Sequence, residues 1–236
     1  MRENKGVTFM VKSSFLKGQK AVVTLSGGQD SSTLLFWAKE VFAEVIAVSF
    51  SYGQKHSIEL EKAKKIANIA GVEHHILDVS VLNQLAPNAL TRVDIDVPNF
   101  KEDLEGEPIT VVRGRNGLFA WLTSIFASTH NIENIVLGVC ETDFSGYIDC
   151  RDVFIKSLQT AINLGVDEKI KIHTPLMWLD KVETWQMADE LGVLSIIEKE
   201  THTCYEGVEG GCKICPSCVL RERALTKYKK LKNKGE

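Results

Sequence analysis

Ala21-Val22-Val23-Thr24-Leu25-Ser26-Gly27-Gly28-Gln29-Asp30-Ser31-Ser32-Thr33-Leu34-Leu35 is the stretch on which the reading of this chain turns. Its first five residues are mostly apolar and β-rich, and the run stops at Ser26-Gly27-Gly28, as a buried strand ending in a tight turn does. From Asp30 onward Leu34, Leu35, Trp37, Ala38, Val41 and Phe42 recur at the spacing of one buried helical face. The two glycines allow a sharp turn and a close approach of backbone to an anion. Asp30, Ser31 and Ser32 fall at the helix start, where unpaired N–H groups and the helix dipole attract phosphate. The hydroxyls of Ser26, Ser31 and Ser32 add donors. The plainer alternative is a glycine turn with Asp30 as a helix cap. No Gly-Lys-Ser/Thr follows, so this is not a Walker A loop, and it is not a G-x-G-x-x-G dinucleotide turn.

Working outward, Val45 to Phe50 reads as a second strand, Ile58 to Ala70 as a helix closed by Gly71, and Glu73 to Val79 as a third strand. Leu118 to Ser128 is helical, Ile135 to Val139 a strand, Val153 to Leu164 helical, Ile170 to His173 a short strand and Lys181 to Leu191 a helix. This alternation implies parallel strands joined by crossover helices, a doubly wound, Rossmann-like α/β fold. Pro87 to Pro108 is polar, acidic and broken by proline, and is expected to be an active-site loop or lid. Ile109 to Val112 reads as a short strand. The expected organisation is an N-terminal extension (1–20), an α/β domain (21–195) and a small zinc-binding C-terminal region (196–236). The final KYKKLKNKGE reads as a solvated basic run.

The chain has 236 residues, 44% hydrophobic and 25% charged, with a formal net charge of −3. A chain of this size buries roughly three-quarters of its unfolded surface and needs no disulfides. The negative balance argues against a dedicated nucleic-acid binder. No run approaches the roughly 18 apolar residues of a membrane span, and residues 1–18 lack an apolar core with a cleavage site. A cytoplasmic location is the expectation. Cys204, Cys212, Cys215 and Cys218 are spaced x7, x2, x2, with Gly207, Gly210 and Gly211 letting the intervening loop fold back. Four thiolates satisfy a tetrahedral zinc with no open position, the mark of a structural site. An iron–sulfur cluster also uses four thiolates. His202 is surplus to the set.

The Ser26–Ser31 hexapeptide resembles the SGGxDS loop of the N-type ATP pyrophosphatases, in which the loop grips pyrophosphate while a substrate oxygen becomes adenylated. That resemblance implies ATP along Leu25, Ser26, Gly27, Gly28, Gln29, Asp30, Ser31, Ser32, Thr33, Leu34 and Leu35, with magnesium accompanying the phosphates. Three further stretches each follow a strand or short apolar run: Tyr52-Gly53-Gln54-Lys55-His56, Arg113-Gly114-Arg115-Asn116 and Tyr147-Ile148-Asp149-Cys150-Arg151. Taken singly, His56 reads as a cap or surface group, Arg113 and Arg115 as solvated, and Cys150 as a small buried residue. With Thr174-Pro175-Leu176 and Asp180-Lys181-Val182-Glu183-Thr184-Trp185, these stretches, the loop and the cysteines resemble the 7-cyano-7-deazaguanine synthase family from about Ala21 to Arg223.

The resemblance implies two ATP-driven adenylations that turn 7-carboxy-7-deazaguanine and ammonia into the nitrile, a step toward queuosine. It implies Asp30, Ser31, Arg115 and Arg151 as catalytic residues, with Arg113, Arg115 or Arg151 pairing a carboxylate or phosphate. One structural zinc per chain, a homodimer, and no nucleic-acid or membrane partner complete the expectation. An adenylate is reactive enough for ammonia, so Cys150 is not expected to form a thioester. The length leaves no room for an amidotransferase domain, so free ammonia is the expected nitrogen source. The rivals are a tRNA-thiolating pyrophosphatase, which needs catalytic cysteines and basic surface, and a zinc-bearing nucleic-acid-binding module with a dead nucleotide pocket.

Overall fold

The computed structural model describes residues 16–53, 58–85, 112–142 and 147–235. In chain order they form β1 (Lys20–Thr24), α1 (Gln29–Val41), β2 (Glu44–Ser51), α2 (Ile58–Ala70), β3 (Glu73–Asp78) and α3 (Val81–Leu85). These are followed by α4 (Arg115–Thr129), β4 (Asn134–Val136), a 3-10 turn (Ile148–Cys150), α5 (Asp152–Val166) and β5 (Lys171–His173). The chain ends with α6 (Lys181–Glu190), α7 (Leu194–Glu200) and α8 (Pro216–Gly235). The five strands lie in the order β3-β2-β1-β4-β5, and every pairing is parallel. Chain order runs outward from β1 in one direction and resumes with β4 in the other. The carboxyl end of β1 therefore stands at the switch point of the sheet, where open α/β folds bind ligands.

Alternation along β1 puts Ala21, Val23 and Leu25 on one face and Val22 on the other, all almost wholly buried. The first set packs with Leu34, Leu35, Ala38, Ala63, Ile66 and Ala67 of α1 and α2. Val22 packs with Ile46, Val48, Ala120, Ile155 and Ile162, so α4 and α5 cover the opposite face. The winding is double, as the alternation of elements predicts. A third cluster, built on Trp185, Ile197, Ala224, Leu225 and Tyr228, joins α6, α7 and α8.

The helix over 58–70 forms with the bounds that the sequence indicates. Gly71 follows it at φ +66° with its N–H on Asn68 O. β4 stops at Val136 instead of Val139, because β5 offers only three residues to pair with it. The basic run is exposed at its lysines, as expected, and forms the end of a 20-residue helix in which Tyr228 is buried. α8 opens at Pro216, whose fixed φ suits a first helical turn, and is pinned by Ala224, Leu225 and Tyr228. The expected lid at Pro87–Pro108, Ile109 to residue 111, Gln54-Lys55-His56 and the first 15 residues lie outside the described residues. Val112 is buried and is not in a strand. Among the described residues no helix is long and apolar enough to cross a membrane.

Candidate active site and metal knot

The turn after β1 is held by its own serines. Ser31 Oγ accepts from Ser26 N–H at 3.1 Å, lies 2.9 Å from Ser26 Oγ, and donates to Gly28 O at 3.4 Å. Gly27 has φ +79°, and a Cβ there would fall 2.4 Å from Glu59 O and 2.7 Å from Ala63 N. Only glycine lets the loop close onto α2. Thr33 Oγ1 donates to Gln29 O at 2.9 Å, and Leu34 and Leu35 are core residues with no exposed surface. The polar atoms at the helix start are different. Gln29 Nε2, Asp30 Oδ1 and Ser32 Oγ are buried with no hydrogen-bond partner. Three orphaned polar atoms within one turn of a helix start, at the switch point of the sheet, mark a place built for something polar.

Asp30 is met from across the molecule. Lys181 Nζ lies 2.6 Å from Asp30 Oδ2, with both side chains about a quarter exposed. Lys181 is the first residue of α6, and its position is fixed by a capping box. Asp180 Oδ1 accepts from Val182 and Glu183 N–H at 2.8 Å, and Asp180 N–H donates to Glu183 Oε2 at 2.8 Å. Sequence reading quoted this segment without giving Lys181 a role.

The other signature stretches converge nearby. Arg115 opens α4 with its guanidinium 5.9 Å from the Tyr52 ring centroid and 5.7 Å from that of Tyr147. Burial works against the Arg115 charge, but Tyr52, Tyr147, Tyr205 and Glu59 outweigh it and raise its pKa. Burial pushes the Tyr52 phenol up to about 12, Glu59 adding to the rise and Arg115 opposing it. Burial also lifts the Glu59 carboxyl, against Arg115. Next to Arg115, Asn116 binds the Tyr147–Arg151 stretch. Its N–H and Nδ2 donate to the two Asp149 carboxylate oxygens at 2.9 and 3.0 Å, and Nδ2 lies 3.2 Å from Cys150 Sγ. Burial and the Asp149 charge push the Cys150 thiol up to about 12. Arg151 is the N-cap of α5, and the side chains of Arg151 and Arg113 are exposed.

The four cysteines come together as their spacing predicts, with all four Sγ within 4.8 Å of one another. Cys212 Sγ and Cys218 Sγ are 4.0 Å apart. Tetrahedral zinc with Zn–S of about 2.3 Å needs sulfurs about 3.8 Å apart, so the set fits one metal ion. A cuboidal iron–sulfur cluster would need a wider spread. Backbone N–H groups of Cys212 and Cys215 point at Cys204 Sγ and Cys212 Sγ, each at 3.3 Å. Burial opposes the Cys212 thiolate, yet N–H groups of Ile214 and Cys215 and the neighbouring thiols bring it down to about 7, whereas burial raises Cys215 and Cys218.

The knot is tied to the loop. His202 N–H donates to Gly27 O at 2.9 Å, while His202 Nε2 lies 3.0 Å from Cys204 O. Arg221 of α8 donates to Ile197 O and Glu198 O at 3.0 Å, closing the end of α7 beneath the same segment. Its guanidinium also sits 5.4 Å from the Trp185 ring.

Comparison with known proteins agrees with this geometry. A family model described as "Queuosine biosynthesis protein QueC" matches residues 20–229. A 7-cyano-7-deazaguanine synthase of Clostridium novyi is 56% identical over 218 residues, covering 92% of this chain and 98% of that protein. One of Clostridium acetobutylicum is 56% identical over 214 residues, covering 90% and 96%. Among solved structures, a 4-thiouridine synthetase–RNA complex with bound ATP superposes with a TM-score of 0.50 at 17% identity, covering 92% of this chain and 53% of that one, a likeness of fold. The chain belongs to the family of the queuosine biosynthesis protein QueC, whose members include the 7-cyano-7-deazaguanine synthases.

Proposed function

We propose that the chain converts 7-carboxy-7-deazaguanine and ammonia into 7-cyano-7-deazaguanine, using two ATP and releasing two AMP and two pyrophosphates. The observation that carries this is the group of orphaned polar atoms Gln29 Nε2, Asp30 Oδ1 and Ser32 Oγ around a glycine turn that only Gly27 can form. A carboxylate oxygen attacks the α-phosphorus, the bond to the bridging oxygen breaks, and pyrophosphate leaves with the electron pair. Ammonia adds to the acyl carbon, AMP departs with the activated oxygen, and a proton goes to solvent, leaving the amide. The amide oxygen then attacks a second ATP. Loss of AMP and the two N–H protons gives the nitrile. Acid, amide and nitrile share one oxidation level, so no redox partner is needed.

In this reading the Ser26–Ser32 turn holds pyrophosphate, and Asp30 and Lys181 set the charge beside it. Catalysis rests on positioning and electrostatic stabilisation, not on a protein nucleophile. A magnesium ion, which the partnerless Asp30 Oδ1 fits as a ligand, would supply charge neutralisation of the phosphates. Zinc in the four-cysteine knot would supply stability alone. The cysteines leave no amidotransferase nucleophile: four form the knot, Cys150 is buried, and Cys140 Sγ donates to Leu179 O at 3.0 Å. We place the enzyme in the cytoplasm as a homodimer acting on small molecules. The strongly exposed Val153 and Leu164, three turns apart on α5, support the dimer. Incubation with the acid, ATP and an ammonium salt tests the function: mass spectrometry should find the nitrile and AMP, and finding neither would overturn it.

A further inference from the structure

The signature stretches of the sequence meet in one corner that the phosphate loop does not use. Tyr52 follows β2, Arg115 begins α4, Tyr147 precedes the 3-10 turn, and Tyr205 stands next to Cys204 of the knot. The guanidinium of Arg115 is 5.9 and 5.7 Å from the centroids of Tyr52 and Tyr147. Tyr205 shares a hydrogen bond with Tyr147. The corner adjoins the loop, because Glu59, which acts on Arg115 through space, sits in the first turn of α2 with its carbonyl against Gly27. Tyr52 is buried, whereas Arg115, Tyr147, Tyr205 and Glu59 are only partly so.

We propose that this corner is the site of the flat deazapurine acid, with Arg115 pairing its carboxylate and Tyr52 and Tyr147 holding the guanidinium in place. The inference rests on the function proposed above and adds the residue that recognises the substrate. A guanidinium is a planar fork that matches a planar carboxylate with two parallel hydrogen bonds, and with five N–H donors Arg115 can share one hydrogen bond with Tyr52 and still offer a pair to a carboxylate. Phosphate already has its donors at the helix start, so a second cation half-buried among phenols suits an aromatic acid better than a second phosphate. Phenol faces also suit a flat conjugated ring. The adjacency of the corner to Gly27 sets a bound carboxylate beside the place where the pyrophosphate-bearing nucleotide is held. Tyr52 stays a neutral phenol at neutral pH because burial pushes it up to about 12, so of that pair Arg115 is the charged one.

The test is calorimetric titration of the full-length, zinc-loaded chain with three probes: 7-carboxy-7-deazaguanine, unsubstituted 7-deazaguanine, and a non-hydrolysable ATP analogue. The wild-type chain should prefer the acid to the unsubstituted base. Arg115→Met should weaken the acid roughly 10- to 100-fold, the usual worth of hydrogen bonds to a charged group. It should leave the unsubstituted base and the ATP analogue within about threefold. Arg115→Lys, which keeps the charge and loses the fork, should fall between and carries the test if the Met variant does not fold. Tyr147→Leu should weaken both bases alike. Loss of ATP-analogue binding with the acid unchanged, equal loss of acid and unsubstituted base in the Arg115 variants, or no loss at all would each overturn the assignment. A wild-type chain that neither binds nor converts the acid would instead overturn the proposed function, so the two failures are distinguishable.

Discussion

Lys181 Nζ and Asp30 Oδ2, 151 residues apart in sequence, lie 2.6 Å from each other beside the glycine turn after β1. If α1 holds a phosphate as proposed, an acid in its first turn needs a cation to answer it, and Lys181 supplies that cation from the N-terminus of α6. Lys181→Met should therefore lower kcat/KM for ATP about 10²- to 10³-fold, the scale of losing one preorganised electrostatic contact. The pair is partly exposed, so its worth to stability is about 1 kcal/mol or less and Tm should barely move. Asp30→Ala and Ser31→Ala should abolish turnover with the fold intact. Wild-type rates in these variants, or a collapse of Tm in Lys181→Met, would contradict this assignment.

Gly27→Ala should be far more damaging than its single methyl suggests. The residue sits at φ +79°, and the new Cβ would meet backbone atoms Glu59 O and Ala63 N, which cannot swing away. Left-handed backbone and overpacking together should cost about 2–5 kcal/mol. Chemical denaturation should show this loss along with loss of ATP binding. A variant as stable as the wild type would mean that the loop does not rest on α2.

One zinc ion per chain should be found by elemental analysis, held by Cys204, Cys212, Cys215 and Cys218. Chelation or any of the four Cys→Ser changes should lower Tm sharply, because binding free energy at a structural site is folding free energy. Since His202 N–H holds Gly27 O, the metal-free chain should also bind the ATP analogue more weakly. Iron in the purified chain, or an unchanged Tm after complete metal removal, would contradict the assignment.

Cys150 should be chemically quiet. Its thiol is pushed up to about 12 by burial and by Asp149, so at neutral pH only about one molecule in 10⁵ carries the thiolate. A raised thiol pKa keeps the neutral form, so alkylation should remain slow through the range near pH 8.5 where an ordinary cysteine becomes reactive, and should quicken only as pH approaches 12. Cys150→Ala should still form the nitrile. A covalent Cys150 adduct detected during turnover would contradict the prediction.

The parts legible in the sequence were those whose signal is local. The β1–turn–α1 unit, the 58–70 helix and the x7, x2, x2 cysteines each carry their pattern within a few residues. What escaped depends on the third dimension. α8 is polar along most of its length, and its packing on Trp185, the carbonyl contacts of Arg221 and the ion pairs of Lys229 with Glu198 and Lys232 with Asp189 separate it from a free tail. The Lys181–Asp30 pair exists because β5 and β1 lie on either side of β4, which brings the segment after β5 toward the turn after β1. Arg113, Arg115 and Arg151 look alike in sequence, and nothing local in it sets Arg115 near the rings of Tyr52 and Tyr147.

The central claim is that substrate oxygen, and not water or a protein group, attacks the α-phosphorus twice. Supplying 7-carboxy-7-deazaguanine with both carboxylate oxygens as ¹⁸O, together with ATP and ammonium, tests it most directly. The expected products are the nitrile, two AMP molecules each carrying one ¹⁸O, and unlabelled pyrophosphate. Label in pyrophosphate or phosphate, unlabelled AMP, or ADP as the main nucleotide product would contradict it.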